Sequence, residues 1–399
     1  MARALLEQNL RNFVVYDRRH QIGGNWSQDQ SFPTSVYEGL RSITSKRRMA
    51  FTGFPFPPQA PHYPTREDLL AYLHSFVRAY KLAPYLELGR EIAEVAPESN
   101  GKWRVTLASG NSSLFDAVCV SNGHHSEPSL PGIPGNFSGR IVHSHRFRSS
   151  FPFTGQRALV LGLGNSGADI AADLVRRNGH VTVSLRRGYY ILPRYLFGIP
   201  SDELLARLHL LPRPILAHLA TMLLRLLPGA TTRHMPRPNH RLFETHPLIN
   251  SDLPRLIASG AIRLRGPIAH AAGLTVTFAD GTAEDFDLIV ACTGYNIAFP
   301  FLRIPADQLP PHVPLGLRIF HPQHPGLFFI GLIQPSGSIW PLADLQARLV
   351  AKHLAGLVPA PHPGEEMRYG RFVDSPRHVI EVDFFRYQCA LVHALARAQ

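Results

Sequence analysis

The chain has 399 residues, of which 45% are hydrophobic and 18% charged. This composition predicts two or three globular domains and excludes an intrinsically disordered protein. The formal net charge is +12, but the basic residues are scattered arginines without a nucleic-acid-binding motif, so we expect no nucleic-acid partner. Cys119, Cys292 and Cys389 show no CxxC spacing, and the first two lie in apolar runs, which predicts reduced packing residues of a cytoplasmic protein.

The first residues, MARALLEQNLRNFVVYDRR, predict a helix and then a short strand that ends at Asp17. In nucleotide-binding βαβ units, an acid at this place binds a ribose and follows a glycine loop by about 20 residues. The first strand and its glycine loop are therefore expected just upstream of Met1. A start codon assigned too late would explain why they are missing from this sequence, with true loss as the second explanation. The alternative for Asp17 is an ordinary acid in a strand-end turn. GGNW, with Gly23, Gly24 and Trp26, follows closely and allows a backbone to approach a flat or phosphorylated ligand.

Further along the chain, short apolar runs alternate with helical patterns, as in α/β proteins. A helix over 64–80 starts with a capping-box pair, Thr65 and Asp68. The other predicted elements are two strands around a polar turn (102–123), a strand, glycine loop, helix and strand (157–188), a helical insertion (196–245), a helix ending on a glycine (252–260), two strands around Asp280-Gly281 (274–294), a strand (327–331) and a last long helix that includes 343–356.

The most apolar stretch, PILAHLATMLLRLLPG over 214–229, lies within the predicted insertion. It is shorter than the roughly 18 to 20 residues that span a bilayer, and His218 and Arg225 interrupt it. We therefore expect no integral membrane span. The stretch predicts a core or interdomain helix, with a peripheral membrane helix as the alternative.

A glycine loop with the full context of a dinucleotide site follows the apolar run RALVL. In GLGNSG, Gly162 permits the tight turn, Gly164 lets the backbone approach a pyrophosphate, and Gly167 lets helix and strand pack closely. The next residues, including Asn165 and Ser166, open the helix whose N-terminus faces the phosphates. The alternative is a tight turn that binds nothing.

The second strand of this unit indicates which dinucleotide is bound. An acid about 20 residues after the glycine loop would bind a ribose hydroxyl, whereas arginine favours a 2′-phosphate. The strand HVTVSL has no acid at its end and runs into Arg186 and Arg187. A guanidinium binds phosphate through two parallel hydrogen bonds, so the sequence favours NADPH over NADH. A solvated dibasic turn is the alternative.

Taken together, the motifs resemble those of the flavin-containing monooxygenase family nearly from end to end. FSGRIVHSHRF (137–147) matches the family fingerprint F-x-G-x-x-x-H-x-x-x-(Y/F), and GGNW is similar to its flavin-side G-G-x-W. Further similar segments are VSNGH (120–124), CTGY (292–295), FFIGLIQPSGSIWPLADLQAR (328–348) and SPRHVIEVDFFRY (375–387).

The resemblance implies an α/β fold with two doubly wound, Rossmann-like domains, the NADPH domain being inserted into the FAD domain. The corresponding boundaries are 1–148 for the first part of the FAD domain, which lacks its first βα element, 149–290 for the NADPH domain, and 291–399 for the second FAD part and the tail. The expected cofactor-binding residues are Asp17, Gly23, Gly24, Trp26, Asn122, Gly162, Gly164, Asn165, Ser166, Gly167, Arg186, Arg187, Thr293, Gly294 and Gln346.

The activity that the resemblance implies is transfer of one oxygen atom of O2 to a soft nucleophile, an amine or a sulfide, through a flavin C4a-hydroperoxide. The cofactors would be FAD and NADPH, and the protein would position them and exclude water. In the fingerprint formed by Phe137, Gly139, His143 and Phe147, the histidine is expected to support a loop, with proton transfer as the alternative. Phe147 replaces the tryptophan of the related Baeyer–Villiger enzymes and favours the amine or sulfide branch. We expect no metal site, since the 21 histidines show no tight metal spacing; the histidines at 124–125 and 143–145 are the possible ligands.

One departure from the family concerns the catalytic position in LRSITSKRRMAFTGFPFP (40–57). The family commonly has an asparagine there, and our alignment places Ile43 at this position. An isoleucine cannot donate the hydrogen bond, although Thr44 or Ser45 could supply a hydroxyl. Two alternatives to the monooxygenase therefore stay open: a catalytically silent NADP(H)-binding protein and an NADPH oxidase that releases peroxide. A homodimer and peripheral membrane contact are additional expectations for the partners.

Overall fold

A computed structural model describes residues 1–27, 31–32, 34, 36, 40–148, 152–153, 155–177, 179–208, 213–226, 235–361 and 379–397. The chain divides into two compact units. Unit 1 comprises Met1–Phe32, Thr44–His124 and Ile297–Gln399, and unit 2 comprises Pro33–Ile43 and His125–Asn296. The larger part of unit 2 is thus inserted between two segments of unit 1. The predicted functional boundaries after residues 148 and 290 stay predictions.

Within the described ranges, the helices in chain order are α1 (Ala2–Glu7), α2 (Lys46–Met49), α3 (Arg66–Ala79), α4 (Asn165–Arg176), α5 (Ser201–Arg207), α6 (Arg213–Leu226), α7 (Leu253–Ala258), α8 (Trp340–Leu354) and α9 (Phe384–Ala396). The strands are β1 (Val15–Asp17), β2 (Leu86–Leu88), β3 (Ile92–Pro97), β4 (Trp103–Leu107), β5 (Ser112–Phe115), β6 (Val118–Val120), β7 (Glu127–Pro128), β8 (Gly135–Phe137), β9 (Arg140–His143), β10 (Arg157–Leu161), β11 (His180–Ser184), β12 (Ile191–Leu192), β13 (Tyr195–Leu196), β14 (Ile199–Pro200), β15 (Leu248–Ile249), β16 (Ile262–Arg265), β17 (Ile268–Gly273), β18 (Thr275–Phe278), β19 (Ala283–Asp285), β20 (Leu288–Ala291), β21 (Tyr295–Asn296), β22 (Leu327–Phe329), β23 (Gln334–Pro335) and β24 (Glu381–Val382).

Unit 2 is built on a five-stranded parallel sheet with the order β16-β11-β10-β20-β9. Alternate residues of β10 point to opposite faces of this sheet. Ala158 and Val160 pack in one apolar cluster with Ile170 of α4, and Leu159 packs in another with Phe278 of β18. Both faces are therefore covered, which explains why the strand is a continuous apolar run. The predicted α/β class with parallel sheets is confirmed.

Unit 1 combines short parallel strand pairs, β1 with β2 and β6 with β22, with the antiparallel sheet β3-β4-β5. Helices α8 and α9 pack on each other in its largest apolar cluster, which contains Leu349 and Leu391. The first helix, α1, packs on α8 through Ala4, Leu5 and Ala347. The predicted order of a helix followed by a short strand at the start of the chain is confirmed.

Several predicted elements are confirmed in detail, and three are corrected. Thr65 and Asp68 form the predicted capping box of α3. The stretch 102–123 contains three strands rather than two, because β6 leaves the β4-β5 hairpin and pairs with β22. The stretch 274–294 contains three strands rather than two, because β19 pairs with β18 across the Asp280-Gly281 turn and β20 then joins the parallel sheet. The helix over 343–356 is not the last long one, since α9 follows it; Asp383 caps α9 by accepting a hydrogen bond from Arg386 N at 2.9 Å.

The predicted insertion 196–245 contains a short hairpin, β13-β14, and then α5 and α6. Residues 209–212 and 227–234 of this prediction, and residues 375–378 of the predicted tail motif, lie outside the described residues. In the part of the chain that the structure describes, no helix has the length and apolar character needed to cross a bilayer.

Candidate functional site

The predicted glycine loop lies between β10 and α4, at the carboxyl edge of the parallel sheet. Gly162 has a left-handed φ of +89°, and a Cβ atom there would lie 2.8 Å from the Cys292 carbonyl oxygen. A Cβ atom on Gly167 would lie 2.2 Å from the Gly162 carbonyl oxygen. Both positions therefore exclude larger residues. Gly164 is the N-cap of α4, so the loop leads directly into first-turn N–H groups that have no acceptor within the helix.

Asn165 and Ser166, the first two residues of α4, have different surroundings. Asn165 Oδ1 accepts a hydrogen bond from Ile249 N at 3.1 Å, so this side chain helps to hold the loop in place. Ser166 is exposed. An exposed hydroxyl beside the N–H groups and the positive dipole end of a helix is suited to an anionic ligand.

The strand order places three predicted motifs at one edge of the sheet. From β10 the chain proceeds through β11 to β16 on one side and then returns to β20 on the other, so the order reverses between β10 and β20. In open α/β sheets, ligands bind beyond the carboxyl ends of the strands at such a reversal. Gly162 follows β10, the CTGY segment follows β20, and His143 ends β9, all at this edge.

The CTGY segment is held by backbone and side-chain contacts within unit 2. Thr293 Oγ1 donates a hydrogen bond to the Ser129 carbonyl oxygen. Gly294 has a left-handed φ of +86°, and its carbonyl oxygen accepts a hydrogen bond from Ser129 N at 3.0 Å. Burial raises the pKa of the Cys292 thiol to about 12, so the thiol is a neutral packing group at physiological pH.

His143 is buried, and both ring nitrogens form hydrogen bonds within the protein. Its Nδ1 accepts a hydrogen bond from His145 N at 3.0 Å, so the proton is on Nε2, which donates to the Gly294 carbonyl oxygen at 3.1 Å. Burial lowers the pKa of His143, which keeps the ring neutral. The rings of Tyr295 and His143 are in a T-shaped contact with their centroids 5.3 Å apart. These contacts support the predicted structural role, because they tie the end of β9 to the CTGY segment.

The other fingerprint residues are explained by packing. A Cβ atom on Gly139 would lie 2.5 Å from the Phe137 ring and 3.0 Å from the Asp287 carbonyl oxygen, so only glycine fits. Phe147 is fully buried in the cluster beneath α4, and the Arg177 guanidinium lies 5.8 Å from its ring centroid. Phe147 therefore supports the glycine-loop helix, whereas Phe137 packs with Phe278 in the cluster on the other face of the sheet.

The dibasic pair Arg186 and Arg187 lies just beyond the carboxyl end of β11, the strand next to the glycine loop. Gly162 N donates a hydrogen bond to the carbonyl oxygen of Ser184, the last residue of β11, at 3.0 Å. Arg186 is exposed, and the Arg187 guanidinium lies 5.8 Å from the Tyr189 ring centroid. Both residues thus follow the strand that neighbours β10, at the same edge of the sheet as the glycine loop.

The predicted flavin-side residues lie in unit 1. Asp17 ends β1, and its Oδ1 accepts a hydrogen bond from Arg19 N at 2.9 Å. Gly23 and Gly24 have left-handed φ values of +121° and +54°, and the space where Gly24 would carry a Cβ is open. Trp26 meets Trp340 edge-on at a centroid distance of 6.4 Å. The backbone is therefore open at Gly24, and the Trp26 side chain packs against a second aromatic ring.

The side chains of Asn122 and Gln346 differ in burial and in the hydrogen bonds that they form. Asn122 is exposed in the turn after β6, with its Nδ2 3.5 Å from the Ala298 carbonyl oxygen. Gln346 is fully buried; its Oε1 accepts from Gly331 N at 2.8 Å and its Nε2 donates to Tyr387 Oη at 2.7 Å. Gln346 therefore joins the turn after β22 to α9, and its predicted contact with a cofactor stays a prediction.

The predicted catalytic stretch spans the boundary between the units. Ile43 is the last residue of the first unit 2 segment, and Thr44 and Ser45 begin the next segment of unit 1. Thr44 and Ser45 are buried, and Ser45 is the N-cap of α2. Isoleucine has no polar side-chain atom, and the catalytic role assigned to the position of Ile43 stays a prediction.

Two polar residues that the sequence did not single out lie close to the glycine loop. Asp169, on the second turn of α4, accepts a hydrogen bond from Asn250 Nδ2 at 2.8 Å. Burial raises the pKa of Asp169 to about 6. The available signal was an acid between Ala168 and Ile170, two apolar residues of the buried helix face. Nothing in the local pattern around Asn250 indicates its partner, which lies 81 residues away.

A parallel sheet with a glycine loop at its order reversal defines a doubly wound, dinucleotide-binding protein. The family model described as flavin-binding monooxygenase-like matches residues 2–389. The chain belongs to this family and is thus an oxidoreductase of the monooxygenase type, and FAD and NADPH are the cofactors of that family.

Curated relatives and solved structures agree with this membership. Flavin-containing monooxygenase 5 of Mus musculus is 32% identical over 404 residues, covering 93% of this chain and 76% of the relative. Dimethylaniline monooxygenase [N-oxide-forming] 2 of Rattus norvegicus is 30% identical over 417 residues, covering 94% and 76%. The structure of S-allyl-L-cysteine S-oxygenase from Allium sativum has a TM-score of 0.70 at 24% identity and covers 99% of this chain and 85% of that one.

Proposed function

We propose that the chain is an NADPH- and FAD-dependent monooxygenase that transfers one oxygen atom of O2 to a soft nucleophile, an amine or a sulfide. The observation that carries the proposal is the meeting of the glycine loop, the CTGY segment and the fingerprint at one sheet edge in a chain of this family. Two similar proteins are named as an N-oxide-forming monooxygenase and an S-oxygenase, which supports nitrogen or sulfur as the acceptor.

The residues of unit 2 fit NADPH. The cradle at Gly162 and Gly167 admits no side chain, so a pyrophosphate can approach the backbone and the N-terminus of α4. Arg186 and Arg187, at the end of the neighbouring strand, would bind the 2′-phosphate. Thr293 would line the same edge. In this arrangement the protein's own contribution is to bind and orient the dinucleotide.

The residues of unit 1 fit a flavin. Asp17 would bind a ribose hydroxyl from the end of β1, and the open position at Gly24 would let the ligand approach the backbone closely. Trp26, Gly23 and Asn122 would complete the contacts. When bound, FAD accepts the hydride that NADPH supplies and delivers electrons to O2. The apolar and aromatic surroundings of Trp26 would exclude water from the ligand.

The experiment that tests the proposal measures binding and turnover separately. The full chain is titrated with NADP+ and with FAD by calorimetry, and NADPH consumption is then followed with and without an amine or a sulfide under 18O2. We expect both ligands to bind and the label to appear in the N-oxide or S-oxide. Gly167→Ala should abolish NADP+ binding, because its Cβ would lie 2.2 Å from a carbonyl oxygen, whereas Gly132→Ala, in open space, should not.

The same measurements distinguish the two alternatives. Binding of NADP+ without any effect of FAD would indicate a silent NADP(H)-binding protein. Binding of both ligands with hydrogen peroxide equal to the NADPH consumed, and no labelled product, would indicate an oxidase. Either result would overturn the proposed oxygen transfer.

We also propose peripheral contact of the insertion with an anionic membrane. The buried face of α6 carries Ala217, Ala220 and Leu224, which pack in a cluster with Leu205 of α5. Of the thirteen large apolar side chains that are exposed among the described residues, six lie between 195 and 222: Tyr195, Phe197, Leu208, Ile215, Leu219 and Met222. Residues 186–246 contain nine arginines and three acidic residues. The net charge of this segment is therefore +6, which is half of the +12 of the whole chain.

Phe197 is the most exposed of the six apolar residues, at 76%, and has a left-handed φ of +52° at the hairpin tip. Sedimentation with phosphatidylcholine vesicles, with and without phosphatidylserine, tests the membrane proposal. We expect binding only with phosphatidylserine and its loss in Phe197→Ser, but not in Leu114→Ser, which alters an exposed leucine of unit 1. Concentration-dependent dimerisation that Phe197→Ser abolishes, without vesicle binding, would assign the surface to a homodimer instead.

A further inference from the structure

Two side chains on the first two turns of α4 contact the same segment of chain. Asn165 and Asp169 are four residues apart, so they lie on one face of the helix. Asn165 Oδ1 accepts a hydrogen bond from Ile249 N at 3.1 Å, and Asp169 Oδ1 accepts one from Asn250 Nδ2 at 2.8 Å. The helix that presents the glycine loop is therefore attached at two points to residues 248–250, where the chain returns from the insertion.

The orientation of the Asn250 carboxamide is determined by its other contacts. Its Oδ1 accepts hydrogen bonds from Asp252 N at 2.9 Å and from Leu253 N at 2.8 Å, at the start of α7. Because backbone N–H groups require an acceptor, the Nδ2 must point to Asp169. Asn250 is buried, with 6% exposed, so the hydrogen bond to the carboxyl is shielded from water.

The opposite edge of the same segment contacts the chain that follows the dibasic pair. β15 pairs in parallel with β12, Leu248 N donates to the Tyr190 carbonyl oxygen at 2.9 Å, and Asn250 N donates to the Leu192 carbonyl oxygen at 3.1 Å. β12 begins four residues after Arg187. Residues 248–250 therefore connect the two elements that we propose to bind NADPH phosphates.

We propose that Asp169 is a positioning residue for NADPH: through Asn250 it fixes the glycine-loop helix relative to the dibasic segment, and the charge on its carboxylate strengthens NADPH binding. This inference rests on the proposed NADPH site. A hydrogen bond to a carboxylate is roughly twice as strong as one between neutral groups, so ionisation tightens the connection. The charged groups that face Asp169 are Arg194 after β12, Arg176 on α4 and Asp252 at the start of α7.

Burial makes this carboxyl unusual, because it raises the pKa of Asp169 to about 6, close to neutrality. Arg194 and Arg176 lower the pKa and Asp252 raises it, but desolvation is the largest cause. The carboxyl therefore changes its charge between about pH 5 and pH 7. We expect NADPH affinity to follow that change.

Calorimetric titration of the full chain with NADP+ from pH 5 to pH 8 tests this inference. The 2′-phosphate of the ligand itself titrates near pH 6, so the measured quantity is the ratio of the Kd of Asp169→Asn to that of the wild type. We expect a ratio of about five at pH 7.5 that approaches one at pH 5. Asp173→Asn, one turn further along α4, should give a ratio near one throughout, because Asp173 pairs with Arg177 and not with Asn250.

A double variant in which Asp169 and Asn250 exchange their side chains distinguishes the positioning role from a purely structural effect. Asn250→Asp alone places two carboxyls against each other and should weaken NADP+ binding at pH 7.5, whereas Asp169→Asn combined with Asn250→Asp restores an amide opposite a carboxylate and should recover it. A ratio independent of pH, or a double variant no better than Asn250→Asp, would overturn the inference. Absence of NADP+ binding by the wild type at every pH would instead overturn the proposed NADPH site.

Discussion

Replacing His143 tests whether the fingerprint histidine holds the edge of the sheet together. His143→Ala removes a donor to the Gly294 carbonyl oxygen and an acceptor for His145 N. A buried polar group that loses its partner costs about 1–3 kcal/mol. His145 is buried and Gly294 is exposed, so water can replace only the second contact. We therefore expect a total loss of about 2–4 kcal/mol.

Two conservative variants separate the two hydrogen bonds. His143→Asn retains an acceptor near the Nδ1 position, and His143→Gln retains a donor near the Nε2 position. Because the contact with His145 N is the more buried one, His143→Asn should be more stable than His143→Gln. Urea unfolding at pH 7.5, followed by circular dichroism, measures the three variants against the wild type.

The pH dependence of this contribution has a definite sign. Burial lowers the pKa of His143 from its ordinary value of 6.5, so the folded state binds its proton less readily than the unfolded chain. The stabilisation is present above pH 6.5 and is lost as the pH falls below 6.5 toward the folded-state pKa. The wild type should therefore lose more stability between pH 7.5 and pH 5.5 than His143→Asn. A His143→Ala protein within 0.5 kcal/mol of the wild type would refute the reasoning, and a stable His143→Asn protein without turnover would favour proton transfer.

Three further predictions concern other buried or apolar positions. The raised pKa of Asp169 makes the folded wild type less stable as the pH rises and the carboxyl ionises. The stability of Asp169→Asn relative to the wild type should therefore increase by up to about 3 kcal/mol from pH 4 to pH 7.5. Thermal unfolding at both pH values measures this difference. Asp344→Asn removes the buried carboxylate that pairs with the Arg3 guanidinium, only 3% exposed, and leaves Glu7 at 3.5 Å as its remaining acidic partner. It should cost about 3–5 kcal/mol by urea unfolding, more than Asp344→Asn combined with Arg3→Met, which removes the second charge as well. Ile43→Asn should raise the ratio of oxygenated product to NADPH consumed and lower peroxide release, and an unchanged ratio would contradict the importance of the apolar side chain at this position.

The local elements were predictable from the sequence because their signals act over a few residues. The glycine loop at Gly162 and Gly167 needs a tight turn and close packing, which only glycine permits, and the structure places both where a Cβ would collide. The capping box of Thr65 and Asp68 likewise depends on four adjacent residues. The strand-to-helix order of the unit 2 sheet followed from apolar periodicity alone.

The contacts that form the site were decided only by the tertiary structure. His143 and Gly294 are 151 residues apart, and they meet because β9 and β20 are neighbours in the sheet. The pairing of Asp169 with Asn250 joins α4 to a segment 81 residues away, and it leaves no periodic signal. Strand order and the burial of polar partners depend on the whole chain, since a hydrogen bond between distant residues forms only where packing brings donor and acceptor together and excludes water.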